Sequence, residues 1–279
     1  MLGNGSDELI SLLALACDVH GASILAPVPG FVMYAMSAQL QGLAFHGVPL
    51  TADFDLDLPA MLAAIAQHRP AITYLAYPNN PTANLWDRAA IHQTIDAVAQ
   101  IGGLVVMDEA YQPFSSHSWI DEIRAAPARH SHVLLMRTLS KFGLAGIRLG
   151  YMVGPAALVH EIDKVRPPYN ISVLNCECAL FALEHADVFA AQAEDLRAQR
   201  TLLLQALRAM PGVQAWDSDA NMVLVRVADA AKTFDGMRTR GVLVKNVSKM
   251  HPLLANCLRL TVGTAAENTQ MLAAFQQSL

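Results

Sequence analysis

Apolar positions along the chain alternate between helical and extended spacing. Residues 6–19 carry Leu9, Ile10, Leu13, Ala16 and Cys17 on one face, with Ser6 placed as the N-cap and Asp7 and Glu8 in the first turn, which predicts an amphipathic helix. A strand at 22–26 follows, then a Pro27, Pro29, Gly30 turn, a helical stretch to about Gln41 and a strand near 43–46. The alternation continues with helices at 57–68 and 87–101 and strands at 71–76, 103–108, 132–138 and 149–153. Short, continuously apolar strands separated by helices predict an α/β fold, a mostly parallel sheet with helices on both faces.

The register changes after Gly154. Residues 155–165 read as a helix, Pro167-Pro168 breaks it, and long helical patterns run over 172–185 and 188–210. Shorter strands at 222–227, 242–244 and 257–262 come last. The expected division is a large domain over 1–166 and a smaller α+β domain over 167–279.

Composition narrows the function classes. Hydrophobic residues make up 53% of 279 positions and charged residues 15%, which excludes a disordered chain. The net charge of −5 is spread without runs of one sign, so no nucleic-acid partner or anionic membrane surface is expected. Mean hydropathy is +0.31, but no apolar run approaches the ~18 residues of a membrane span. Cys17, Cys176, Cys178 and Cys257 include no C-x-x-C pair and read as buried thiols of a reducing, cytoplasmic compartment, with no metal set. The sequons at Asn4, Asn170 and Asn246 read as chance matches.

Candidate chemistry sits where strands end. Lys141, in Arg137-Thr138-Leu139-Ser140-Lys141-Phe142-Gly143, follows a buried strand and precedes a glycine-containing turn and Arg148. A lysine in a dry pocket beside other cations has a depressed pKa, and its neutral amine can attack a carbonyl to form a Schiff base. Leu104-Val105-Val106-Met107-Asp108-Glu109-Ala110-Tyr111 places two acids and a tyrosine at another strand end, the position where open α/β sheets hold ligands. Tyr77-Pro78-Asn79-Asn80-Pro81-Thr82 supplies amide donors on a rigid loop, and Gly3-Asn4-Gly5-Ser6-Asp7 opens a helix whose free N–H groups suit a phosphate.

Together and in this order, these segments resemble the fold-type-I, pyridoxal-5'-phosphate-dependent aminotransferases of class I/II, and within them the histidinol-phosphate aminotransferases most. The resemblance runs through essentially the whole chain and implies an aspartate aminotransferase-like fold. It implies that Lys141 holds the cofactor and moves protons, that Asp108 pairs with the pyridine nitrogen, and that Asn80 and Tyr111 bond the phenolic oxygen. It further implies that the Ser6 and Asp7 amides, Ser140 and Arg148 hold the phosphate and that Phe31 stacks on the ring. Leu258-Arg259-Leu260-Thr261-Val262-Gly263 resembles the segment carrying the substrate-anion arginine, so Arg259 would bind 2-oxoglutarate or glutamate in one half-reaction and the phosphate of histidinol phosphate in the other.

The implied partners are a small-molecule amino donor, a 2-oxo acid and a second copy in a homodimer. Other amino-acid aminotransferases, a decarboxylase of a phosphorylated amino acid and a non-catalytic cofactor-binding module share most of these motifs. Three departures stand out. Ala83 replaces a glycine common in relatives, the Lys141 to Arg148 interval is one residue shorter than in many, and only Met1 and Leu2 precede the Gly3 segment. The family carries tens of residues there, including tyrosines that close the site, so Met1 is expected to be an internal methionine of a longer protein.

Overall fold

A computed structural model describes residues 1–279. In the first part of the chain the elements are β1 (Leu2–Gly3), α1 (Ser6–Ala16), β2 (Ser23–Val28), α2 (Val32–Gln41), β3 (Ala44–Pro49), α3 (Leu58–His68), β4 (Ile72–Ala76), α4 (Arg88–Ile101), β5 (Leu104–Asp108), α5 (Ile120–Ala125), β6 (Val133–Thr138), β7 (Gly150–Val153) and α6 (Ala156–Asp163). The second part holds α7 (Val173–Glu184), α8 (Ala186–Arg208), β8 (Gln214–Ala215), β9 (Met222–Arg226), α9 (Ala230–Thr239), β10 (Lys245–Asn246), β11 (Cys257–Thr261) and α10 (Ala265–Gln276).

The first sheet has strand order β1-β7-β6-β5-β4-β2-β3. Strands β3, β2, β4, β5 and β6 run parallel, and β7 is antiparallel to β6 and β1. Successive strand residues point to opposite faces. Leu25, Leu75, Val105, Met107, Val133 and Leu135 pack with Met61, Ile65, Ile91 and Ile95 of α3 and α4. Their neighbours Ile24, Tyr74, Val106, Leu134 and Met136 pack with Leu9, Ile10, Leu13 and Ala38 of α1 and α2. Both faces are therefore covered, as the continuous apolar strands require.

The second sheet, β10-β11-β9-β8, is antiparallel and packs Val223, Val225, Leu258 and Leu260 against Leu203, Leu207, Met237 and Phe275 of α8, α9 and α10. No helix is long and apolar enough to cross a membrane.

Several expectations are corrected. Gly5, not Ser6, caps α1, and no side chain takes the capping role, because Ser6 is already in the first helical turn. The strand expected at 242–244 forms instead at Lys245–Asn246, where the register with Arg259 and Leu258 of β11 provides a ladder. Val242 and Val244 pack on the small core without strand pairing. Only Cys257 is buried, whereas Cys17, at the C-terminal end of α1, is half-buried, and on α7, which buries only Ala179 and Ala182, Cys176 is half-buried and Cys178 exposed.

Candidate active site

The parallel strands end on one side, and their following residues line a cleft of about 140 Å³. Its walls are Ser6, Asp7, Phe31, Tyr34, Ala76, Pro78, Asn80, Asp108, Ala110, Tyr111, Thr138, Ser140, Lys141 and Arg148. Every residue to which the sequence gives a cofactor role is among them. Arg259 does not line this cleft, but reaches its edge from β11, where Nη1 donates to Oδ1 of Asn80 at 2.6 Å.

Asp108 closes β5 on the α1/α2 face and is 4% exposed. Tyr34 Oη donates to its Oδ2 at 2.6 Å and the Ala110 N–H to its Oδ1 at 3.0 Å. No lysine or arginine pairs with it. Burial pushes the carboxyl up to about 6, against the pull of these two donors. A cationic partner in the cleft would restore the charged form.

Lys141 sits in a single 3-10 turn, Leu139–Lys141, beyond β6. Its ammonium lies 5.2 Å from the centroid of the Tyr111 ring. Burial lowers its pKa, and the charges of Arg259 and Arg148 lower it further, while Asp7 opposes them. Burial likewise holds the Tyr111 phenol above its ordinary value, with Arg259 opposing.

At the far end of the cleft, α1 points its N-terminus inward, and its first-turn N–H groups have no carbonyl partner within the helix. Arg148 reaches over this end, donating to Asp7 Oδ2 and Ser140 Oγ, both at 3.3 Å. The Thr138 hydroxyl donates to Ser140 Oγ and accepts from the Ser140 N–H. Gly150 of β7 passes so close that an added Cβ would stand 2.7 Å from Ser6 N. Gly5 has φ 79°, and a Cβ there would stand 2.6 Å from Arg148 Nη2. Helix dipole, free amides, a guanidinium and a hydroxyl together make an anion site.

Phe31 precedes α2 and meets Tyr34 edge-on, with centroids 5.7 Å apart. Tyr34 in turn stacks on Tyr74 at 4.2 Å. The sequence reading missed Tyr34. Its signal was the helical spacing from Phe31, which puts the two on one face.

The model of the aminotransferase class I and II family matches residues 1–275. The chain belongs to that family. Among curated relatives, the histidinol-phosphate aminotransferase of Acidovorax sp. (strain JS42) is 75% identical over 280 residues, spanning 100% of this chain and 76% of the relative. The solved histidinol-phosphate aminotransferase of Clostridium acetobutylicum superposes with a TM-score of 0.88 at 21% identity, over 99% of this chain and 82% of that one. That of Sinorhizobium meliloti, in complex with pyridoxal-5'-phosphate, gives 0.81 at 23% identity, over 99% of this chain and 75% of that one. The aminotransferase thus has the aspartate aminotransferase-like α/β fold, with its cleft at the carboxyl ends of the parallel strands.

Proposed function

We propose that this aminotransferase transfers the amino group of histidinol phosphate to 2-oxoglutarate, giving imidazole acetol phosphate and glutamate in histidine biosynthesis. The single observation that carries the reading is 75% identity to a histidinol-phosphate aminotransferase across the whole chain, and the donor set of the cleft is consistent with it.

The residues fit pyridoxal 5'-phosphate. Asp108 is a desolvated carboxylate without a cation, matched to a pyridinium nitrogen. The Asn80 side-chain amide and Tyr111 hydroxyl make no hydrogen bond as donors and border the same space, suited to a phenolic oxygen. The Ser6 and Asp7 amides, Ser140 and Arg148 would hold its phosphate, and Phe31 borders the same cleft. When bound, the cofactor supplies a conjugated ring that withdraws electrons from the substrate's Cα.

The chain supplies the rest. Lys141 Nζ, with its lowered proton affinity, holds the cofactor and then carries the proton leaving the substrate Cα. Tyr111 stands beside that amine and orients it. Arg259 has a buried Nε with no partner, the group that takes up a substrate carboxylate or phosphate, while Asn80 holds its Nη1.

The active species is a homodimer in this reading, with residues 1–166 and 167–279 as its large and small domains. The surface that supports a second copy is α7, which exposes several large apolar side chains, with Val173 and Leu174 about three-quarters exposed and Phe181 65% exposed. A cytoplasmic location agrees with its unbridged cysteines.

Turnover of histidinol phosphate, phenylalanine and aspartate with 2-oxoglutarate tests the substrate assignment. Histidinol phosphate is expected to give the highest kcat/KM, and a clear preference for either free amino acid rejects it.

A further inference from the structure

Glu109 follows Asp108 and points to the opposite face of the sheet, away from the cleft. Its side chain is fully buried, yet the mechanism above makes no use of it. Arg137, the penultimate residue of β6, donates to Glu109 Oε2 from Nε at 3.0 Å and from Nη2 at 2.8 Å. The Ser118 hydroxyl and the Trp119 N–H, both from the loop before α5, donate to the same carboxylate. Arg137 Nη2 also donates to Ser118 Oγ at 2.9 Å, which closes the network. Trp119 is 1% exposed and meets Tyr77 edge-on at 6.1 Å.

The network joins the ends of three strands. Tyr77 follows β4 and stands three residues before Asn80, Glu109 adjoins Asp108, and Arg137 stands four residues before Lys141. Backbone bonds continue the same lateral connection, from Tyr77 N to Asp108 O and from Glu109 N to Met136 O, both 2.8 Å. Stability alone does not call for this arrangement. A well-packed apolar pair is often as stable as a buried ion pair, which must repay the desolvation of both charges. What several directed hydrogen bonds add is a fixed geometry.

We propose that Glu109 is a positioning residue for the transamination, clamping Arg137 and the 118–119 backbone so that Asn80, Asp108 and Lys141 keep their mutual spacing. The proposal rests on the roles given to Lys141 and Asp108 above. A displacement of the order of 1 Å in such a site lowers the rate by roughly 100-fold.

The test compares wild type, Glu109→Gln and the paired apolar replacement Glu109→Leu/Arg137→Met, each reconstituted with pyridoxal 5'-phosphate. Three quantities are read: melting temperature, the pH midpoint of the visible absorbance band of the bound cofactor, and kcat and KM for histidinol phosphate. Glu109→Gln is expected to move the midpoint by at least about half a pH unit and to lower kcat roughly 10- to 100-fold, with KM within about 3-fold. The apolar pair is expected to regain the melting temperature without regaining the midpoint or kcat. A wild-type midpoint and kcat in either variant overturns the proposal.

Ser118→Ala, which removes only the hydroxyl bonded to both partners, keeps the test decisive if the charge variants do not fold. It is expected to move the midpoint, and an unmoved midpoint overturns the proposal there too. If wild type itself does not turn over histidinol phosphate, the substrate reading fails, while the midpoint comparison still decides the clamp.

Discussion

The Tyr34 hydroxyl donates to the Asp108 carboxylate at 2.6 Å, with both residues buried in the cleft wall. The bond favours the charged carboxylate against the desolvation that pushes its pKa up to about 6. A hydrogen bond to a charged group contributes about 1.5–3 kcal/mol, equivalent to roughly one to two pKa units. Tyr34→Phe keeps the stacking on Tyr74 and removes the donor. The Asp108 carboxyl is then expected to titrate about one to two units higher in the cofactor-free protein, read by carbon-13 NMR of labelled aspartate. An unchanged titration contradicts the role given to Tyr34.

Asp108 also sets a pH dependence of stability. Its folded pKa of about 6 lies above the ordinary 3.8. The native state therefore binds more protons than the unfolded chain between these values, so stability falls as pH rises through the window and stays reduced above it. Asp108→Asn removes that loss. The cofactor-free variant is expected to be about 3 kcal/mol more stable than wild type at pH 8 and within about 0.5 kcal/mol of it near pH 4, while transamination drops at least about 100-fold. Denaturant melts at both pH values check the first statement, and initial rates the second.

Arg259 divides its guanidinium between Asn80 and a free, buried Nε. A lysine ammonium cannot serve both directions with the same planar geometry. Arg259→Lys is expected to raise KM for 2-oxoglutarate about 10- to 100-fold and to change kcat less. Steady-state kinetics at saturating amino donor separates the two.

Gly5 adopts φ 79°, and a methyl group at that position would meet the Arg148 guanidinium. Gly5→Ala is expected to destabilise the protein by about 1–2 kcal/mol through backbone strain. It is also expected to weaken pyridoxal 5'-phosphate binding at least about 10-fold, because Arg148 is displaced from the anion site. Equilibrium dialysis measures the second effect independently of the first.

Phe181→Glu and Leu174→Glu alter exposed positions of α7. Changes at such positions leave the fold of a single subunit within about 0.5 kcal/mol. Sedimentation is expected to show loss of the dimer with unchanged circular dichroism. Dimers that persist in both variants would place the interface elsewhere.

Much of this architecture was legible in the sequence, because buried parallel strands are apolar at every position. β4, β5 and β6 lie where their mostly apolar runs put them. Lys141, Asp108 and Asn80 stood out only in combination, as members of strand-end segments whose order resembles a known family, and the structure brings all three to one cleft. Tyr34 and Glu109 were not, since their significance arises from partners distant in the chain: Asp108 for the first, Arg137 and Ser118 for the second. Residues 242–244 misled because alternating valines suit a half-buried surface whether or not a neighbouring strand is in register to pair with it. Ala83 adopts φ 65°, a backbone conformation that favours glycine.

The central claim is that Lys141 and the cleft around it carry the amino group of histidinol phosphate. Its most direct test is a single-turnover absorbance measurement on the purified chain loaded with pyridoxal 5'-phosphate, mixed with histidinol phosphate in the absence of any 2-oxo acid. The account predicts that the visible band of the bound cofactor bleaches in step with release of one equivalent of imidazole acetol phosphate, and that Lys141→Ala releases none. A wild-type band unmoved by this donor, or release by Lys141→Ala at the wild-type rate, would contradict it.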